Sequence, residues 1–335
     1  MVTHSKELAQ KADVILTLRK GTIMATEDIV LDEKIREGLM EEAERFLPPD
    51  DTEIRPITCE IDEDGKEKHT VHMSLYDYMY SKVELSEAWV AGNLLLFTVF
   101  DGYLENKYHL TEGASFREHY NNLPDNTSIE IIEKNCYRIF KIIRNGIQHN
   151  LSNVNYNDGS YNISYCHRNR SYALQISKNG VRYLYTLIMN IIKGQIGGMY
   201  GKYRTSGHYD GIMYTLYTDM LKEITQIFDD IGTSPSAIPN GLKLRAFVRY
   251  PVENPTILAE DATFITFHHI ENNGTDDISC NQYNYSTDYI YKDYLLPQEI
   301  GIITKGKGDS VQERMKSATI RFEKSCIEDK WKLKL

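Results

Sequence analysis

The sequence predicts a mainly α fold, in which a helical bundle over 74–232 follows an acidic helix-plus-hairpin extension over 1–73 and precedes an α+β unit over 240–335. Three observations lead to it. Apolar residues recur at helical spacing in successive segments between about 75 and 231. Two strand-like runs, TEIRPITCEI and KEKHTVHMSL, flank Asp64-Gly65. After TSPSAIPNG the periodicity shortens, and LKLRAFVRY and TFITFHHI read as strands. A chain of 335 residues has room for about two compact units, and 41% hydrophobic content is enough to fill their cores.

Taken in order, Asp32 caps a helix carrying Ile35, Leu39, Ala43 and Phe46 on one face, which Pro48-Pro49 ends. The hairpin around Asp64-Gly65 follows, with Pro56 placing its first strand at a sheet edge, because proline donates no ladder hydrogen bond. Leu85, Trp89, Leu94, Leu95, Leu96 and Phe100 mark a helix that is apolar round most of its circumference and therefore buried. A second bundle helix runs from about Ser128 to His149, after NNLPDNTS. The polar stretch SNVNYNDGSYNISYCHRNRS reads as a loop or small hairpin, and a third helix covers about Tyr172 to Lys193. Asp210 caps a fourth, with Ile212, Leu216, Met220, Ile224 and Ile227 on one face. Four helices with modest connections make a bundle. In the last unit DSVQERMKSA is helix-like and TIRFEK strand-like.

The net charge of −10 argues against indiscriminate coating of nucleic acid, yet the charge is unevenly spread. Residues 134–204 hold eleven Lys or Arg and one acid, Asp158, so that segment carries +10 and the remainder −20. Cys59, Cys136, Cys166, Cys280 and Cys326 form no C-x-x-C pair, which fits neither a disulfide framework nor a zinc site and points to a reducing, cytoplasmic setting. The opening MVTHSKELAQK lacks an apolar signal core, and WVAGNLLLFTVF is too short to span a bilayer, so no membrane association is expected.

Within the basic segment, KIIRNGIQHN (141–150) spends the last turn of a helix on arginine, asparagine, glycine and histidine. At about 100° per residue, Lys134, Arg138, Lys141, Asn145 and His149 share one face, opposite Ile132, Cys136, Ile139, Ile143 and Ile147. Glu130 is the only acid at i±3 or i±4 of the stripe, so the stripe repels itself unless an anion sits beside it. Gly146 costs on the order of 1 kcal/mol relative to alanine, which calls for a close backbone approach or a helix end. Asn145 lies one turn before His149 and can orient its imidazole. Arg144 points away from the stripe, so it and His149 do not converge within one helix; if two copies pack these helices around a two-fold axis, Arg144 and His149 from both can line one shared cleft.

Arg144-Asn145-Gly146-Ile147-Gln148-His149 resembles the R-x(4–6)-H signature of the HEPN superfamily, in which a polar residue follows the arginine. The resemblance covers about residues 75 to 231 and leaves both ends unexplained. It implies a HEPN-like helical bundle that forms a homodimer and cuts RNA without metal or cofactor. Toxin, abortive-infection or other defence systems, with a regulatory or antitoxin protein as partner, are the setting it implies. On that reading His149 is general base toward the 2′-hydroxyl or general acid toward the leaving 5′-oxygen, Arg144 holds the phosphate, and Asn145 holds the imidazole or a phosphate oxygen. Arg138, Lys141, Arg168 and Arg170 then bind the RNA backbone, with Tyr161 or Tyr165 available to stack a base, although packing is the plainer role for these tyrosines.

Other signals are weaker. GQIGGMYGKYRTSGHYDG lacks the phosphate-loop spacing and reads as a flexible connection. His69-x-x-His72 sits in a predicted strand, where i and i+3 face opposite sides, and His268-His269 is similar; His208 and Asp210 have no other ligands nearby, so no metal is expected. Two functions of different kinds remain: the endoribonuclease, and a non-catalytic dimeric module that binds RNA, a nucleotide or an acidic partner through its basic face. In either, the carboxylates of 50–68 have the charge to cover that face.

Overall fold

The computed structural model describes residues 17–19, 22–24, 57–61, 63–64, 67–70, 85, 90–111, 114–194, 203–244, 249–270, 286–310, 313–314 and 317–334. The predicted helix over Asp32–Phe46, Trp89, Pro56, His72 and most of the glycine-rich connection lie outside them. Five α-helices occur among the described residues: α1 (Val90–Tyr108), α2 (Phe116–Asn122), α3 (Ser128–His149), α4 (Lys178–Lys193) and α5 (Ser206–Lys222). The strands are β1 (Thr17–Arg19), β2 (Thr22–Met24), β3 (Ile57–Ile61), β4 (Glu67–Thr70), β5 (Val154–Asn157), β6 (Ser160–His167), β7 (Arg170–Ser177) and β8 (Ile224–Phe228). Beyond them come β9 (Arg249–Glu253), β10 (Ile257–Glu260), β11 (Phe264–His268), β12 (Ser286–Tyr291), β13 (Tyr294–Pro297), β14 (Ile302–Thr304) and β15 (Thr319–Glu323).

The chain is therefore not mainly α. Besides the small β1–β2 ladder it carries sheets ordered β5-β6-β7-β8, β13-β12-β9-β3-β4 and β10-β11-β15-β14. The helical expectation fails at particular places. Residues 154–177, read as loop and helix start, form three antiparallel strands, because Tyr161, Ile163 and Tyr165 alternate with polar residues and bury one face. Ile224 and Ile227, assigned to the fourth helix, lie in β8 on the outer side of the same sheet, paired with Ile176 and Leu174 of β7.

Helix α3 packs against α1, α4 and α5 and against β6 and β7. A capping box starts it: Thr127 Oγ1 accepts from the Glu130 backbone N–H, and the Glu130 carboxylate accepts from the Thr127 N–H. Its apolar residues Ile132, Cys136, Ile139, Ile143 and Ile147 are buried, as are Phe140 and Ile142. Phe97 and Phe100 of α1, Tyr185 of α4, and Tyr137 and Phe140 of α3 form the aromatic part of that core. A Cβ on Gly146 would stand 2.6 Å from Ile163 Cγ2 of β6, so the glycine marks a close approach of helix and sheet. Ser177 caps α4, and Thr205, rather than Asp210, caps α5 by accepting from the His208 N–H.

The hairpin around Asp64-Gly65 forms, with Thr58 opposite Thr70, but it is not a separate piece. Strand β3 pairs in parallel with β9, so it lies inside the five-stranded sheet and β4 takes the edge, contrary to the placement predicted from Pro56. This sheet meets the β10-β11-β15-β14 sheet through Tyr289 and Phe267, whose rings stack 5.7 Å apart. It also docks on α5. His208 Nε2 lies 3.4 Å from an Asp288 carboxylate oxygen in β12, and Trp331 packs edge-on to the His208 ring. None of the described helices is long and apolar enough to cross a membrane.

Candidate functional site

The end of α3 meets the far end of β6 and the turn that follows it. In that turn Arg168 and Asn169 both have positive φ, 50° and 62°, and His167 pairs with Arg170 across it. Two consecutive left-handed residues give the turn that matches strand twist, and an arginine there is strained where glycine would not be. Residues 161, 163, 165 and 167 share one face of β6. Tyr161, Ile163 and Tyr165 use it to bury themselves, and His167, beyond the edge of the core, reaches the last residue of α3. The rings of His149 and His167 lie 5.3 Å apart with planes 21° from parallel, and Tyr165 stands 6.3 Å from His149. Both histidines are exposed, as are Arg168 and Arg170.

Arg144 and Asn145 do not face this pair in the way the motif suggests. Arg144 Nη1 donates to Asn145 Oδ1 at 2.8 Å, and its guanidinium lies over the Phe97 ring at 5.3 Å. Burial lowers the proton affinity of Arg144, while Asp101, Tyr137 and Tyr165 oppose that shift. Asn145 thus serves the arginine, not the imidazole. Among the described residues no hydrogen bond or ring contact joins Arg144 to His149.

The basic stripe differs most from expectation. Arg138 is 2% exposed and donates from Nε and Nη2 to both Asp229 oxygens, at 2.6 and 2.8 Å, and from Nη2 to the Thr233 carbonyl. Lys141 lies 3.4 Å from Asp230 and 4.0 Å from the centre of the Phe116 ring, and burial lowers its pKa against the pull of Asp230. Lys134 binds Asp125 and the Leu123 carbonyl. The anions that the stripe needs are supplied by the chain itself. Arg138 cannot reach an RNA, and Lys141 is engaged inward, whereas Arg168 and Arg170 remain at the surface; Arg170 has only a 4.0 Å approach to Asp230. Tyr161 and Tyr165 are packing residues, Tyr165 stacking on Tyr172 at 4.9 Å.

Among the described residues, one group has the composition of a metal site. Single ligand atoms from Asp101, Glu105 and His119 lie within 4.8 Å of one another. Hydrogen bonding to Asp101 raises the His119 pKa to about 9, against the effect of burial and with help from the Thr111 carbonyl, 2.9 Å from Nε2. A protonated imidazole has no lone pair for a cation. The Tyr137 hydroxyl donates to Asp101 at 2.5 Å, completing an internal network that joins α1, α2 and α3.

His167 is the residue that the motif reading missed. The alternation Tyr161, Ile163, Tyr165, His167 was the available signal, since a period of two sets the histidine on the helix-facing side of the strand. Comparison of the chain with family models, curated proteins and solved structures finds no match.

Proposed function

We propose that the chain is a metal-independent RNA endonuclease that uses 2′-hydroxyl attack to leave 2′,3′-cyclic phosphate and 5′-hydroxyl ends. The observation that carries this reading is the exposed His149 at the end of α3, beside a second imidazole and the cationic turn of Arg168 and Arg170. Imidazole exchanges protons near neutral pH, and exposed guanidinium groups hold a phosphodiester by charge-assisted hydrogen bonds. Arg144 takes part if a second copy of the chain brings its motif across the His149 surface, so a homodimer belongs to the proposal. Arg138 and Lys141 do not, because their charges are met internally.

The test is cleavage of a mixed-sequence RNA in chelator-containing buffer, with the ends mapped. The parent should give cyclic-phosphate ends, and His149→Ala should lower the rate by about 10²-fold or more. An equal rate for the variant would end the assignment. The rival, a module that binds RNA without cutting it, is favoured by the inward bond of Arg144 to Asn145. It requires RNA to be shifted in a salt-sensitive manner with no new ends.

A further inference from the structure

We infer that His167 is a second catalytic residue, the general base that takes the 2′-hydroxyl proton while His149 of the same chain protonates the leaving oxygen. The inference rests on the ribonuclease reading and deepens it. Cutting by this route moves two protons at two oxygens of one phosphodiester, and a single imidazole has to serve both in turn. Two imidazoles 5.3 Å apart, both open to solvent, can each meet one of those oxygens at about 2.6–3.2 Å.

The two rings are presented by different elements: His149 closes the 22-residue helix α3, and His167 ends β6, next to Arg168 and opposite Arg170. Tyr165 also touches His149.

The step balances within this set. Neutral His167 removes the proton from the 2′-hydroxyl, the 2′-oxygen forms a bond to phosphorus, and the phosphorus–O5′ bond breaks. Protonated His149 gives its proton to O5′. The products are the cyclic phosphate and the 5′-hydroxyl, with one proton gained by His167 and one lost by His149. Arg168 and Arg170 face the phosphate oxygens across the turn.

The experiment compares parent, His149→Ala, His167→Ala and His167→Gln on RNA and on a uridine 3′-(4-nitrophenyl phosphate). The nitrophenolate of that second substrate leaves without a proton. All variants should keep the parent's circular dichroism, since both side chains are exposed. On RNA each variant should lose about 10²-fold or more. On the activated ester His149→Ala should return to within about tenfold of the parent, while both His167 variants stay slow. Cleavage of RNA by His167→Ala at the parental rate, with His149→Ala inactive, overturns this inference and leaves the ribonuclease reading standing. So does recovery of the His167 variants on the ester, which would make His167 the acid. A parent inactive on both substrates overturns the ribonuclease reading itself.

Discussion

Arg138 shows how a residue's surroundings decide its role. Its guanidinium exchanges water for both oxygens of Asp229 and the carbonyl of Thr233, at 2% exposure. A buried pair of this kind adds little over a well-packed apolar pair, yet removing one partner strands the other charge. Arg138→Ala and Asp229→Ala should therefore each lower unfolding stability by about 3–5 kcal/mol, and the double variant by much less than the sum. Urea titration of the four proteins checks this. If Arg138→Ala unfolded like the parent but bound RNA less tightly, the internal role would be wrong. The acidic partners could not be read from the helix, because Asp229 and Asp230 stand some ninety residues further along the chain.

At the level of elements, what was legible was what is locally encoded. The bounds of α3 follow from Thr127 and Glu130 three residues apart, and Asp64-Gly65 marks its hairpin because the turn chemistry lies in two neighbouring residues. The strands over 154–177 were obscured by Asn and Ser, which read as loop although their tyrosines and isoleucine alternate. Gly146 falls between these cases: the sequence marks the residue as unusual, and only the packed sheet explains it. Its hydrogen faces Ile163, so Gly146→Ala gains helix propensity but must displace β6. Overpacking at that contact should cost about 1–3 kcal/mol, read as a lower urea midpoint. A variant more stable than the parent would mean that the helix and strand separate freely there.

At the level of the molecule, buried histidines set the response to pH. His119 holds its proton more tightly in the fold, at about 9, so its contribution is complete below 6.5 and disappears as the pH rises through 9. His269 is buried against Tyr289 and its pKa falls to about 4, so its contribution is complete above 6.5 and drains away as the pH falls toward 4. Burial alone would raise the Asp288 pKa, but Arg249 and His208 hold it at about 2, so its share is present above 3.8 and lost as acid takes the pH through 2. Stability should peak near pH 6.5, and His119→Gln should flatten the alkaline limb while leaving the acid limb in place. Chemical unfolding across that range is the measurement, and a parent profile flat from about pH 5 to 9 would refute the coupling.

The parallel pairing of β3 with β9 sets Ile57 beside Val252. On a ribosome, β3 emerges long before its neighbour exists. At about 5–20 residues per second the delay is on the order of ten to forty seconds, during which the hairpin holds an unfilled ladder toward whatever else is nearby. A fragment that stops before β9, or one that starts after β3, lacks one side of that ladder, so neither holds this sheet whole.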